Sequence, residues 1–132
     1  MAIKHIKQPS KSSLCGQCCV AMFTGMNLNE VAQAVGTFGG TRTKQLLKVL
    51  QPYTSFSKLK RNRISPPETC LMRVRWEKGS HWVLRYNGLV HDPELEESVS
   101  YDVYLMMIEG IGRITSYLPL NTDRSPHIPT RY

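Results

Sequence analysis

The segment CGQCCVAMFT, residues 15 to 24, limits the architecture more than any other stretch, because it reads as a helix without a polar face. Ser12 or Ser13 can cap its start, and Gly25 suits the left-handed position after its end. The central run CCVAMF is apolar on every side. A helix of that kind is buried all round, so the other elements have to be laid around it.

Two more helices follow. NLNEVAQAVG has Asn27 as N-cap, Glu30 three residues on to complete a capping box and Gly36 as terminator, with Leu28, Val31, Ala32 and Val35 on one face. After the turn TFGGT, a third helix is predicted from about residue 42 to 51. Thr41 is its expected cap, Leu46, Leu47, Val49 and Leu50 point inward, and Pro52 stands just beyond its end.

The period then changes. TCLMRVRW and HWVLRY alternate as strands do, SFSKLKR does so less clearly, and Pro66 and Pro67 belong in a loop. Asn87 and Gly88, between HWVLRY and LVHD, signal a hairpin, since a two-residue type I′ turn needs positive φ at both positions. SYDVYLMMIEG is predicted as a fourth helix capped by Ser100 and RITSYL as a last strand. Residues 119 to 132 are expected as an extended arm on the surface. Helices first and an antiparallel sheet after them make an α+β domain over residues 1 to 118.

At 132 residues and 41% hydrophobic content, one core is expected. No run of eighteen apolar residues occurs and no signal-like stretch follows MAIKHIKQPSKSS, so a soluble cytoplasmic protein with no membrane partner is expected. Cys15, Cys18 and Cys19 crowd together and cannot all pair with Cys70, so reduced thiols are expected. The net charge of +7 is uneven: residues 1 to 63 hold ten Lys or Arg against Glu30 alone, whereas residues 64 to 132 hold seven against nine acids. The densest basic stretch is KLKRNR, with Lys58, Lys60, Arg61 and Arg63. It reads as a solvated basic face or as a contact for an acidic partner or nucleic acid. No zinc-finger spacing or RNA-binding aromatic motif accompanies it, so nucleic acid rests on charge alone.

A thiol becomes nucleophilic where its thiolate is stabilised, and unpaired N–H groups in the first turn of a helix do this. Only Cys15 is placed for that; Cys18, Cys19 and Cys70 are expected to pack. The hairpin supplies the rest. With Asn87 and Gly88 as turn residues, Tyr86 pairs with Leu89, Arg85 with Val90, Leu84 with His91 and Val83 with Asp92. His81 and Asp92 then share a face as diagonal neighbours, roughly 5 to 8 Å apart between β-carbons. His91 and Trp82 fall on the opposite face. A histidine beside a carboxylate suits a general base whose tautomer is held in place.

CGQCCVAM, the two short helices with GGT between them, and HWVLRYNGLVHDP together resemble the papain-like cysteine peptidases of the bacteriocin-processing type, the double-glycine leader peptidases and their stand-alone relatives. The resemblance spans about residues 8 to 118. It implies a papain-like fold with the nucleophile at the start of a buried helix packed on a C-terminal antiparallel sheet. It makes Cys15 the nucleophile, His81 the base and Asp92 its orienting partner. It also implies an upstream glutamine as oxyanion donor, for which Gln8 is the candidate, seven residues ahead of Cys15, with Gln17 as the alternative. No cofactor or metal is implied, and the substrate would be a peptide or protein, the basic half suiting an acidic segment. No transporter domain follows, so the resemblance bears on chemistry rather than on export.

Two other functions compete. The fold could serve as a binding module whose basic half docks nucleic acid or an acidic protein. Cys15, Cys18, Cys19 and a histidine could hold zinc, although a second ligand knuckle is lacking. His5 and His127, in terminal segments, read as surface residues.

Overall fold

Helix α1 (Cys15–Thr24) is the hub of the computed structural model, which describes residues 3–122, and every residue of it except Cys15 is buried. Gly25 ends it at φ 82°, in the left-handed region. Its start differs from expectation. Leu14 is the N-cap and no side chain caps the first turn. Ser12 is instead engaged by Gln8, whose side-chain amide donates to the Ser12 carbonyl at 2.8 Å across a turn that holds Lys11 at φ 61°.

Helix α2 (Leu28–Val35) carries both halves of its capping box, from Asn27 and Glu30, and ends at Gly36 with φ 97°. Helix α3 (Thr43–Leu50) begins after Arg42, not after Thr41; the Arg42 N–H is taken by Gln45 Oε1 at 2.7 Å. Thr41 is diverted because its hydroxyl packs against Gly16 of α1. Leu46 and Leu50 of α3 are buried, while Leu47 and Val49 are only partly so. Pro52 lies within a single 3-10 turn, Gln51–Tyr53, that closes this half.

The sheet has six strands: β1 (Lys60–Arg61), β2 (Cys70–Trp76), β3 (Gly79–Tyr86), β4 (Leu89–His91), β5 (Val99–Ser100) and β6 (Gly112–Pro119). Their order is β1-β6-β2-β3-β4-β5, and every pairing is antiparallel. SFSKLKR contributes only the two residues of β1. Asn87 and Gly88 adopt φ 50° and 86°, and the hairpin pairs Tyr86 with Leu89, Arg85 with Val90 and Leu84 with His91. Helix α4 (Tyr101–Ile108) starts where Ser100 Oγ accepts the Val103 N–H. The described residues are therefore α+β, with four helices and one antiparallel sheet.

The sheet is covered on both faces. Leu71, Trp82, Leu84, Tyr86 and Leu118 meet α1 and, through it, α2 and α3. Cys70, Met72, Val74, Val83 and Val90 lie under Tyr104 and Ile108 of α4. The expected arm begins inside this framework: Pro119 closes β6, and the N–H groups of Leu120 and Asn121 bind Thr69 O and Tyr53 O. Residues 123–132, His127 among them, lie outside the described part. Among the described residues no helix is long and apolar enough to cross a membrane.

Candidate active site

Strand β4 stops at His91, so only residues 84–86 of β3 pair with it. The start of α1 occupies the gap, and the Trp82 backbone N–H donates to Cys15 Sγ at 3.5 Å. Such closeness requires a glycine next to the cysteine. A β-carbon on Gly16 would stand 2.5 Å from Thr41 Oγ1, 3.1 Å from Leu46 Cδ1 and 3.2 Å from Trp82 Cδ1. Cys15 itself is half-buried at a helix start whose amides no side chain takes.

His81, also on β3, is buried, and its Nε2 lies 2.6 Å from Asp92 Oδ1. Asp92 Oδ1 also accepts the Glu94 N–H at 2.9 Å, and Oδ2 accepts the Tyr104 hydroxyl at 2.9 Å. Burial alone would raise the Asp92 pKa, but His81, the Glu94 amide and Tyr104 outweigh it and hold the carboxyl below its usual value. Burial likewise opposes a charge on His81. The hydrogen bonds and charges of Asp92 and Cys15 win and push the imidazole up to about 10. With Nε2 on Asp92, Nδ1 is the nitrogen left for the thiol. The Trp76 ring lies 6.0 Å from the imidazole, centroid to centroid.

The other cysteines sit differently. Burial, then the charge of Cys15, pushes Cys18 up to about 12 and Cys19 well above the usual thiol range; burial takes Cys70 to about 12. The described residues contain no group of three or more His, Cys, Asp or Glu placed to hold a metal ion.

Gln8 is tied to the residue after Asp92 by its own N–H, which donates to Pro93 O at 2.7 Å. Its side-chain amide nitrogen donates to Ser12 O at 2.8 Å and, over the longer distance of 3.4 Å, to Ser12 Oγ, which an oxyanion would have to displace. Gln17 is placed otherwise. It is fully buried, and its amide nitrogen donates to Thr37 O at 3.0 Å and Gly39 O at 2.8 Å, so it clamps the GGT turn and has no N–H left for an oxyanion.

His5 is more than a surface residue. Its Nε2 donates to Leu95 O at 2.8 Å, its Nδ1 lies 3.2 Å from His91 Nδ1, and the two rings stack. Burial and the nearby His5 pull His91 down to about 4, and the contact between the two rings holds the N-terminal segment over β4. Lys58, Lys60, Arg61 and Arg63 come together on an open depression of about 650 Å³ at the β1 edge, with Phe56 and Tyr117. Lys60 Nζ lies 4.9 Å from the Phe56 ring centre. The depression is three strands from His81, not beside it.

Tyr104 is the site residue that sequence reasoning missed. The Ser100 cap sets the phase of α4, which brings Tyr104 and Ile108 inward, and a buried tyrosine hydroxyl needs a partner. That signal was present in SYDVYLMMI. Comparison of the chain with protein-family models, curated proteins and solved structures finds no match.

Proposed function

We propose that the protein is a cysteine-dependent amide hydrolase of papain-like fold, a peptidase or isopeptidase that works through a thioester acyl-enzyme. One observation carries this reading: a half-buried thiol at an uncapped helix start meets a buried imidazole whose far nitrogen is 2.6 Å from a carboxylate. Cys15 thiolate attacks the carbonyl carbon, and the oxyanion forms near the Cys15 backbone N–H and the Gln8 amide. His81 gives its proton to the departing amine as the C–N bond breaks. Water then loses a proton to His81 and attacks the thioester, which releases the acid and restores the thiolate. Asp92, braced by Tyr104, holds the ring and its charge throughout.

The test is alkylation of the native protein with iodoacetamide from pH 4 to 10, the modified cysteine being mapped by mass spectrometry. Fast labelling confined to Cys15, and about tenfold or more slower at neutral pH in His81→Ala, is the expected result. Equal labelling of Cys18 and Cys19, or no effect of His81→Ala, would overturn the reading.

A second reading, a binding module for nucleic acid or an acidic protein, is favoured by the clustering of Lys58, Lys60, Arg61 and Arg63 on one depression. It predicts affinity that falls steeply with salt, survives Cys15→Ala and is lost in the fourfold alanine variant of those residues, as measured by fluorescence anisotropy with a labelled oligonucleotide.

A further inference from the structure

The sheet face that carries Trp82 also carries a set of arginines that no acidic group among the described residues pairs with. Cross-strand partners share a face, so Arg61, Ser116, Arg73 and Trp82 form one row across β1, β6, β2 and β3. The neighbouring row is Arg113, Arg75 and Ser80. Leu71, Leu84 and Leu118, two residues further along the same strands, pack under α1 and identify the face.

A bulge puts Arg113 there. The β2–β6 register shifts between Arg73 and Val74, which leaves Thr115 as the extra residue. Ile114 thereby turns into the core under α4, and Arg113 comes directly opposite Arg75. Without the extra residue Arg113 would pair with Trp76 and lie on the α4 side.

Like charges directly opposite across two strands destabilise a sheet. Arg75 and Arg113 are both exposed, and none of Arg61, Arg73, Arg75 and Arg113 forms an ion pair among the described residues. The polar contact in the set is Arg73 Nη2 with Ser80 Oγ, at 3.4 Å. Unpaired cations kept in opposition beside a nucleophile are suited to a ligand that brings the missing anions.

We infer that the site accepts a polypeptide with acidic residues, which Arg73, Arg75 and Arg113 read as it crosses the sheet; this rests on Cys15 being the nucleophile. Strands lie about 4.8 Å apart and an extended chain advances about 3.3 Å per residue. The arginines of β2 and β6 are therefore about two to four residues from the scissile carbonyl. Arg61, three strand spacings from Trp82 or about 14 Å, meets the chain about two residues further out. The exposed positions of the two rows are arginines and serines, and Phe56, a ring that lines the depression with Arg61, is already covered by Lys60 Nζ, so a polypeptide fits better than a nucleic acid that needs rings on which to stack.

The experiment measures protection of Cys15 from iodoacetamide by peptides with a central Gly-Gly flanked on each side by three Glu, three Gln or three Lys. The Glu peptide is expected to protect at about tenfold lower concentration than the Gln peptide, with an advantage that shrinks as sodium chloride rises. The Lys peptide is expected to give no protection. Arg75→Gln with Arg113→Gln should abolish the Glu advantage while alkylation without peptide stays unchanged and thermal stability is equal or higher. Arg75→Glu with Arg113→Glu should invert the preference toward Lys. Equal protection by Glu and Gln peptides, or a Glu advantage that persists in the Gln variant, overturns the inference. Stronger protection by an oligothymidylate of equal charge overturns the choice of polypeptide. Failure of the nucleophile reading shows itself separately, as slow labelling of Cys15 before any peptide is added.

Discussion

Asp92→Asn is expected to slow amide hydrolysis by about 10²- to 10⁴-fold and to move the alkaline limb of activity to lower pH. The substitution keeps the shape of the side chain and removes its charge. His81, held up to about 10 chiefly by its hydrogen bond to Asp92, then falls toward its ordinary 6.5, and the imidazolium that the proposed mechanism needs for protonating the leaving amine is depleted at neutral pH. Stability follows the same linkage. A histidine whose pKa is raised on folding stabilises fully below its unfolded value of 6.5, and that contribution disappears as pH rises through about 10. A carboxylate whose pKa is lowered stabilises above 3.8 and loses that contribution as pH falls further. The wild type should therefore exceed Asp92→Asn most between about pH 4 and 6.5, by about 3–5 kcal/mol for breaking a buried pair. Urea unfolding of both proteins at pH 5, 7 and 10 measures the difference. A gap that does not narrow at pH 10 would show that the carboxylate does not hold the charge on His81.

Gly16→Ala should lower stability by about 1–3 kcal/mol and activity by about 10²-fold or more. Alanine is the better helix former, so propensity alone predicts a gain of about 1 kcal/mol. The loss comes from sterics. The new methyl would stand 2.5 Å from Thr41 Oγ1, with Leu46 and Trp82 closing the other sides, so α1 must withdraw and carry Cys15 away from the Trp82 amide. Thr41 Oγ1 is buried without a partner, so Thr41→Ala removes the closest contact while breaking no hydrogen bond. Thermal melts and hydrolysis rates of the two single variants and the double should show partial recovery in the double. A melt of Gly16→Ala at or above that of wild type would refute the packing argument.

Local chemistry made the central part of this site legible. Asn87 and Gly88 leave one register for their hairpin, and that register puts His81 and Asp92 on a common face before any long-range contact is known. An apolar helix beginning at Cys15 had to be buried, with its first residue at the rim. The illegible parts are those where a distant group displaces a local preference. Ser12 is taken by Gln8, and Thr41 by the close approach of Gly16, so neither reaches its expected capping position. Gln17 looks like an oxyanion donor in sequence because nothing there shows the Thr37 and Gly39 carbonyls that consume its amide. His5 finds its partner 86 residues away. The bulge at Thr115 shifts the pairing by one residue, which leaves no mark in the alternation of RITSYL.

Strand β6 is the last of the described strands yet stands second in the sheet, between β1 and β2. That placement governs when the sheet can close during synthesis of the chain. Cys15, His81, Asp92 and Tyr104 all leave the ribosome before residues 112–119, but until then β1 has no strand to pair with and β2, paired with β3 on one side, has its other edge open. Non-local pairing of this sort is slow and waits for the complete partner. A chain halted after α4 would hold all the reactive side chains and lack Ile114 from the core under that helix, together with Arg113. The sheet that positions Cys15, His81 and Asp92 is thus closed only once the last of its described strands has been made.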